Sequence, residues 1–166
     1  MLVGFMGTGK SSVAKELARL TGLRVIELDE EVEREAGRSI SELFASEGEA
    51  RFRDREASAL VSASTEGGVI ISTGGGAVLR QENVRVMKAT GQVVCLTAST
   101  EVILKRVAGH GHRPLLNKPD PKAEIARLMA EREPFYRAAA DITIETGGKE
   151  PSDIAREIRE ALGWKP

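Results

Sequence analysis

The chain has 166 residues, of which 41% are hydrophobic and 30% are charged, and its formal net charge is −1. This composition is typical of a globular protein, and the near-neutral charge argues against binding of nucleic acid or anionic membranes through bulk electrostatics. The single cysteine, Cys95, excludes a disulfide within the chain and lies in an apolar run, where a buried, unreactive thiol is expected. No apolar run is long enough to span a bilayer and no signal peptide fits the amino terminus, so we expect a cytoplasmic protein without a membrane partner.

A phosphate-binding loop is predicted at the start of the chain. Residues 4–11 read Gly-Phe-Met-Gly-Thr-Gly-Lys-Ser and fit the pattern G-x-x-x-x-G-K-[ST]. Glycines let such a loop turn tightly and point its N–H groups at phosphate oxygens, while Lys10 reaches the terminal phosphates and the Ser11 hydroxyl ligates Mg²⁺. An amphipathic pattern follows at once, so a helix N-terminus is favoured here over a glycine-rich turn with a surface lysine. The residues expected to bind nucleotide are Gly7, Thr8, Gly9, Lys10, Ser11 and Ser12.

Five short apolar runs are predicted to be buried strands. They are residues 2–3, 24–28, 68–71, 93–97 and 141–144. Helical stretches separate them, and this alternation indicates an α/β protein with a parallel sheet that is covered on both faces. Ligands bind such sheets at the carboxyl ends of the strands, so residues that directly follow a strand are the first candidates for function.

Two carboxylates, Glu27 and Asp29, come at the end of the second strand. Alternation along an extended chain would place both on one side, one near Mg²⁺ and the other near an acceptor hydroxyl. The alternative is that they are acids of a helix N-terminus that complement the helix dipole. The residues alone leave both interpretations open.

Two further stretches allow either a functional or a structural interpretation. Three glycines, residues 74–76, follow the third strand and would let a ligand approach the backbone closely, although a flexible turn has the same composition. Residues 49–56 are densely charged and include Arg53; the simplest interpretation is a solvated helix face with ion pairs between successive turns.

The remaining helices are predicted from capping signals and apolar spacing. Ser39 and Glu42 predict a capping box for a helix that ends at Gly48. Further helices are expected over residues 80–90, 100–107, 121–139 and 151–158. Pro134 should kink or break the third of these.

Residues 109–121 are predicted to form a mobile loop. They contain two glycines, three prolines and several cations, so this segment resembles a lid that closes over a phosphate site. His110 and His112 suggest a metal site, but no third ligand lies at a suitable spacing nearby, and solvated loop histidines are expected instead.

Taken together, these motifs resemble those of the shikimate kinase family, in the nucleoside-monophosphate-kinase-like branch of P-loop proteins. The resemblance covers essentially the whole chain. It is carried by the loop 4–11, Glu27-Leu28-Asp29, Phe52-Arg53-x-x-Glu56, Gly74-Gly75-Gly76, Arg113-Pro114-Leu115-Leu116 and Arg132-x-Pro134-x-Tyr136. Each motif is weak alone, and their order along the chain makes the set specific.

The resemblance implies a fold and an activity. The implied fold is a three-layer α/β/α P-loop domain over residues 1–166, with a five-stranded parallel sheet in the order 2-3-1-4-5 and a lid at about 109–121. The implied reaction is ATP-dependent phosphorylation of the 3-hydroxyl of shikimate, in the pathway to chorismate and the aromatic amino acids. Members of the family use ATP and Mg²⁺, are cytoplasmic and are usually monomeric.

Residues for the acceptor follow from the same resemblance. Asp29 falls on the acid that contacts the shikimate hydroxyls and is the candidate base. Arg53 and Arg132 fall on the arginines that hold the shikimate carboxylate. Gly75 and Gly76 fall on the glycines that line the ring.

Residues for the nucleotide are implied in the same way. Arg113 falls on the lid arginine that reaches the phosphates and is expected to be catalytic with Lys10 and Asp29. Arg106 falls near the adenine, and Lys149 lies in the loop on the adenine side. Glu27 departs from the family pattern, which has aspartate there, so the expected metal residues are Ser11 and a carboxylate that is one methylene longer.

Two alternatives remain open from the residues. A different small-molecule P-loop kinase, such as a gluconate kinase, would also use arginines to bind a carboxylated polyol. An ATP-binding regulatory protein that has lost phosphoryl transfer would keep the fold, with Glu27 as its mark.

Overall fold

The structure, a computed structural model, describes residues 1–108 and 119–164. Five strands form one sheet: β1 (Leu2–Val3), β2 (Arg24–Glu27), β3 (Val69–Ser72), β4 (Val94–Thr97) and β5 (Ile142–Glu145). Every pairing is parallel and the order is β2-β3-β1-β4-β5, which confirms the expected α/β class and strand order.

Helices connect the strands. They are α1 (Lys10–Thr21), α2 (Leu28–Ala36), α3 (Ile40–Thr65), α4 (Gln81–Thr90), α5 (Thr100–Ala108), α6 (Pro121–Ala139) and α7 (Pro151–Ala161). A short 3₁₀ helix, Ala77–Leu79, follows the glycine turn after β3. Among the described residues no helix has the length and apolarity that crossing a bilayer requires.

The sheet is the middle layer of three. Leu2 and Val94 belong to an apolar cluster with α1 and α7, whereas their neighbours Val3 and Cys95 belong to a cluster with α2 to α6. Successive residues of a strand point to opposite faces, so β1 and β4 each contribute side chains to both clusters. Such a sheet, buried on both faces, leaves its strand ends as the accessible place for a ligand.

Several local predictions can be compared with the structure. The capping box is present, since Ser39 accepts from the Glu42 N–H and the Glu42 side chain accepts from the Ser39 N–H. Gly48 interrupts α3 with a left-handed φ of 81°, and helix resumes on its far side. Pro134 does not break α6, which continues to Ala139. Cys95 is buried as expected, and burial raises the pKa of its thiol to about 11.

Candidate phosphoryl-transfer site

The P-loop crosses the carboxyl ends of the central strands. Gly4 has a φ of 141°, and a Cβ there would collide with the carbonyl oxygen of Leu96 in β4. Gly9 has a φ of 94° and forms the N-cap of α1. Both positions require the conformational freedom of glycine, and residue 4 also requires its small size. The resulting turn aims the N-terminus of α1 at the space above the sheet.

Lys10 lies over the loop to which it belongs. Its Nζ donates to the carbonyl oxygens of Gly4 at 2.8 Å and Phe5 at 3.1 Å. The buried Thr8 hydroxyl also donates to the Phe5 carbonyl, at 2.8 Å. These bonds fix the loop and hold the Lys10 ammonium group at the predicted phosphate-binding site.

Ser11 and Glu27 meet at the edge of this loop. The Ser11 hydroxyl donates to Glu27 Oε2 at 3.1 Å. The other oxygen, Glu27 Oε1, is buried and has no hydrogen-bond partner among the described residues. A hydroxyl beside a carboxylate with an unused oxygen fits Mg²⁺, which prefers oxygen ligands and retains several waters. No group of three His, Cys, Asp or Glu side chains in 1–108 and 119–164 forms a separate metal site.

Asp29 reaches the site from a helix rather than from a strand. Strand β2 ends at Glu27, and Asp29 lies in the first turn of α2. The expectation that an extended chain would place both carboxylates on one side is therefore wrong in its geometry, and the helix N-terminal interpretation is correct for Asp29. The two carboxylates are nevertheless close enough for the charge of Glu27 to act on Asp29.

The carboxyl of Asp29 has a raised pKa. Asp29 is exposed, yet the protein around it displaces enough water to raise its pKa above the ordinary 3.8. Lys10 opposes this shift and Glu27 adds to it. An acid at this position is suited to accept a proton from a neighbouring hydroxyl.

Arg53 is held by two carboxylates of its own helix. It donates to the buried Glu56 at 2.8 Å and to Glu49 at 3.2 Å. Glu49 is 66% exposed, whereas Glu56 is only 1% exposed. The exposed partner can be exchanged for a ligand carboxylate while the buried partner keeps the guanidinium in place. The interpretation of this stretch as a solvated face therefore suits Arg51 and Arg55 but not Arg53.

Arg53 also touches the glycine turn. A Cβ on Gly76 would lie 2.6 Å from Arg53 Cζ, so the guanidinium occupies the space that a side chain at residue 76 would need. A Cβ on Gly74 would lie 2.7 Å from Asp29 Oδ1 and 2.8 Å from Glu56 Oε1. The glycine turn thus has functional side chains packed directly against its backbone, and the flexible-turn interpretation does not fit.

Arg132 approaches the same turn from α6. Its Cζ lies 5.6 Å from the centre of the Phe5 ring, a cation–π distance that places it beside the P-loop. One turn along α6, the Tyr136 hydroxyl donates to the carbonyl of Gly75. Both Arg132 and Arg53 lie near enough to that hydroxyl to lower its pKa. Two arginines that are distant in sequence therefore both lie near the Tyr136 hydroxyl, which is bonded to the glycine turn.

Arg106 and Lys149 differ in their surroundings. Arg106 donates to the carbonyl of Gly7 at 3.2 Å and to the side chain and carbonyl of Thr146 at 2.9 and 2.7 Å, so it joins the P-loop to the segment after β5. Lys149 pairs with Glu157 of α7 at 2.6 Å. Ser12 is exposed in the first turn of α1, and Arg113 lies outside the described residues together with most of the expected lid.

Three residues of this site were not assigned a role from the sequence: Glu56, Tyr136 and Thr146. Glu56 and Tyr136 stood in the motifs that carried the resemblance, so their spacing to Arg53 and Arg132 was a usable signal. Thr146 had none, because a threonine after a strand is common and its hydrogen bond to Thr97 depends on tertiary structure.

The loop, the parallel sheet and the arginine-lined cleft beside it define a P-loop phosphotransferase. The family model for shikimate kinase matches residues 6–163. The chain therefore belongs to the shikimate kinase family.

Relatives and solved structures agree with that membership. A shikimate kinase of Halorhodospira halophila is 45% identical over 165 residues, which is 99% of this chain and 93% of the relative. The structure of shikimate kinase from Acinetobacter baumannii in complex with shikimate has a TM-score of 0.92 at 37% identity and covers 99% of this chain and 92% of that one. The shikimate kinase of Aquifex aeolicus has a TM-score of 0.85 at 38% identity, with 98% and 94% covered. These matches favour shikimate phosphorylation over the gluconate-kinase-like and regulatory alternatives.

Replacement of Gly76 by alanine should weaken shikimate binding with little loss of stability. The new methyl group displaces the flexible end of Arg53 rather than the backbone, so the guanidinium moves away from the acceptor. We expect the shikimate KM to rise about tenfold or more, with the ATP KM unchanged. Gly91→Ala is the matched control, since nothing lies within 4 Å of its Cβ position. Equal effects of the two substitutions would contradict the packing of Arg53 against this turn.

Proposed function

We propose that this cleft transfers the γ-phosphoryl group of ATP to the 3-hydroxyl of shikimate, with Lys10, Asp29 and Arg113 as its catalytic residues. The observation that carries the proposal is the convergence of Arg53 and Arg132 on the glycine turn beside the P-loop. Two guanidinium groups at one place suit a planar carboxylate on the acceptor. Asp29 is near enough to both Lys10 and Arg53 for their charges to lower its pKa, which suits a residue that contacts the acceptor hydroxyl beside the terminal phosphate.

The reaction needs little covalent chemistry from the protein. The hydroxyl oxygen bonds to the γ-phosphorus as the bond to the bridging oxygen of ADP breaks, and Asp29 takes the hydroxyl proton. Lys10 and the loop amides stabilise the negative charge on the phosphoryl oxygens. The two arginines contribute by holding the acceptor in line, which lowers the entropic part of the barrier.

The nucleotide half of the proposal rests on the P-loop. The amides of Gly7, Thr8 and Gly9 would surround the phosphates, with Ser11 and Ser12 in the first turn of α1 behind them. Mg²⁺ bound at Ser11, with Glu27 reaching it directly or through water, would neutralise phosphate charge.

The adenine side and the lid complete the nucleotide site. Arg106 borders the loop and supports the adenine assignment through its bonds to Gly7 and Thr146. Lys149 would have to exchange Glu157 for the nucleotide. Arg113 is assigned by resemblance alone, as is the lid at about 109–121.

The same proposal includes the setting of the enzyme. We propose a monomer with a single domain over residues 1–166, as the resemblance to the family implies. The substrates are ATP and shikimate, and the near-neutral net charge supports no nucleic-acid partner. We place the enzyme in the cytoplasm, where ATP is made and used, without a membrane partner.

The first test addresses Arg53 and Arg132, which together form the proposed carboxylate clamp. Arg53→Lys and Arg132→Lys keep the charge but lose the planar fork, so each should raise the shikimate KM about tenfold or more with little change in the ATP KM. Arg51→Lys is the control, because Arg51 is exposed on the same helix. Turnover is measured with shikimate, with shikimate esterified at its carboxyl, and with gluconate and nucleoside monophosphates as competing acceptors.

The ester lacks the carboxylate that the clamp binds but keeps the hydroxyl that reacts, so it tests the clamp separately from phosphoryl transfer. It should be a poor substrate for the parent enzyme and should remove most of the difference between parent and variants. Equal use of acid and ester by the parent would refute the clamp. Faster turnover of gluconate or a nucleoside monophosphate than of shikimate would refute the acceptor itself.

The second test uses the raised pKa of Asp29. If Asp29 must be ionised to accept the proton, kcat/KM for shikimate falls as the pH drops through that raised pKa, above the ordinary 3.8. Asp29→Asn should remove this fall at low pH, the acidic limb of the pH profile, and lower kcat about 10²- to 10⁴-fold. A variant that retains the parent's acidic limb would show that a different group titrates.

The third test concerns the metal. Glu27→Asp should leave kcat within about tenfold of the parent, because a water-bridged contact absorbs one methylene, whereas Glu27→Ala should raise the Mg²⁺ concentration for half-maximal rate about 10- to 100-fold. The measurement is a Mg²⁺ titration at fixed ATP. An alanine variant that titrates like the parent would make Glu27 a structural residue.

A further inference from the structure

We propose that Tyr136 is a positioning residue for the acceptor, which ties the helix that carries Arg132 to the backbone of the glycine turn. This inference rests on the proposed function and names a residue that the mechanism above does not use. The link joins parts of the chain 61 residues apart, since the Tyr136 hydroxyl donates to the carbonyl of Gly75.

The hydroxyl lies at a place where three elements meet. Tyr136 is only 7% exposed. A Cβ on Gly75 would lie 3.7 Å from the Tyr136 hydroxyl oxygen, 3.5 Å from the Met6 nitrogen and 3.6 Å from the Gly4 carbonyl oxygen. Gly75 is therefore packed between the P-loop and α6, and Tyr136 supplies its polar contact from the α6 side.

The same hydroxyl lies beside Arg132. The two residues are four apart on α6 and share one face of the helix. Burial raises the pKa of Tyr136 to about 12, and the neighbouring Arg132 opposes that shift. The hydroxyl therefore keeps its proton at neutral pH and donates it to Gly75, while its oxygen faces a positive charge that it can orient.

This arrangement sets the distance between Arg132 and the glycine turn, on which binding of the acceptor depends. Arg132 holds the acceptor carboxylate, and Gly75 with Gly76 lines the acceptor ring. Removal of the hydroxyl leaves the Gly75 carbonyl without its donor and frees the turn from α6, so the two halves of the acceptor site lose their common anchor. Lys10 and Arg106 hold the P-loop through their own bonds to the carbonyls of Gly4 and Gly7, so we expect the larger effect on the acceptor half of the site.

Tyr136→Phe is the direct test, because it removes the hydroxyl and keeps the buried ring. We expect the shikimate KM to rise about three- to thirtyfold, as for a lost buried hydrogen bond, with the ATP KM within about twofold of the parent. Thr21→Val is the matched control: it deletes a hydroxyl that donates to a backbone carbonyl at 2.7 Å, at the end of α1 that is remote from the P-loop. The control should lose stability without any change in either KM.

A double-mutant cycle with Arg132→Lys tests whether Tyr136 acts through Arg132. If Tyr136 acts through Arg132, adding Tyr136→Phe to Arg132→Lys should raise the shikimate KM by much less than it does in the parent. Full multiplication of the two effects would refute that route. An unchanged shikimate KM in Tyr136→Phe, or equal rises in the KM values for shikimate and ATP, would overturn the proposal.

A second measurement needs no substitution. Tyr136 is the only tyrosine of the chain, so protein made with 3-fluorotyrosine carries a single ¹⁹F reporter at this hydroxyl. Shikimate should shift its resonance, and a non-hydrolysable ATP analogue alone should shift it much less. The opposite order would overturn the proposal.

The parent enzyme distinguishes this inference from the proposed function. A parent that does not phosphorylate shikimate refutes the function. A parent that does so, while Tyr136→Phe behaves as the parent, refutes only the role of Tyr136.

Discussion

The approach of Gly4 to strand β4 is the constraint on which the site depends. Any side chain at residue 4 would collide with the Leu96 carbonyl, so only glycine lets the loop leave β1 and cross the neighbouring strand. That crossing places Gly9 at the start of α1 and brings the loop carbonyls within reach of Lys10. The nucleotide half of the cleft is therefore shaped mainly by backbone geometry.

The acceptor half is shaped by charge. Glu56 is fully buried, and burial raises its pKa while Arg53 opposes the shift. A buried ion pair of this kind is weak evidence for stability, because desolvation offsets most of the attraction. Its effect is directional: Glu56 fixes one side of the Arg53 guanidinium, and the opposite side remains for an exchangeable partner.

The sequence was most informative where local rules decide structure. The P-loop glycines, the capping box at Ser39 and the strand order that the resemblance implied all agree with the structure. Asp29 was misplaced because a carboxylate after a strand suits both an extended end and a helix N-terminus, and tertiary packing starts α2 at Leu28. The prediction that Pro134 could end α6 was wrong: the helix continues past it, with Ile125 and Tyr136 packed in the core, and a local rule does not see such packing.

Long-range contacts account for the features of the site that the sequence alone did not predict. Arg53 sits in a charged run whose spacing fits a solvated face, and only the fold shows that one of its carboxylate partners is buried. Arg106 likewise bonds both to Gly7 and to Thr146, which is 40 residues away from Arg106. Convergence of this kind is a property of topology, so a single sequence reveals it only through resemblance to a family.

The strand order also has a consequence for biosynthesis. Strand β1 lies in the middle of the sheet, yet its partners β3 and β4 begin at Val69 and Val94. Arg106, which bonds to the P-loop at Gly7, is also bonded to Thr146, after the last strand. The loop therefore emerges from the ribosome long before the elements that surround it. Because contacts between distant segments must wait for both partners, the nucleotide cleft closes only once nearly the whole chain has been translated. A nascent fragment that carries an intact P-loop motif is consequently not yet an ATP-binding protein.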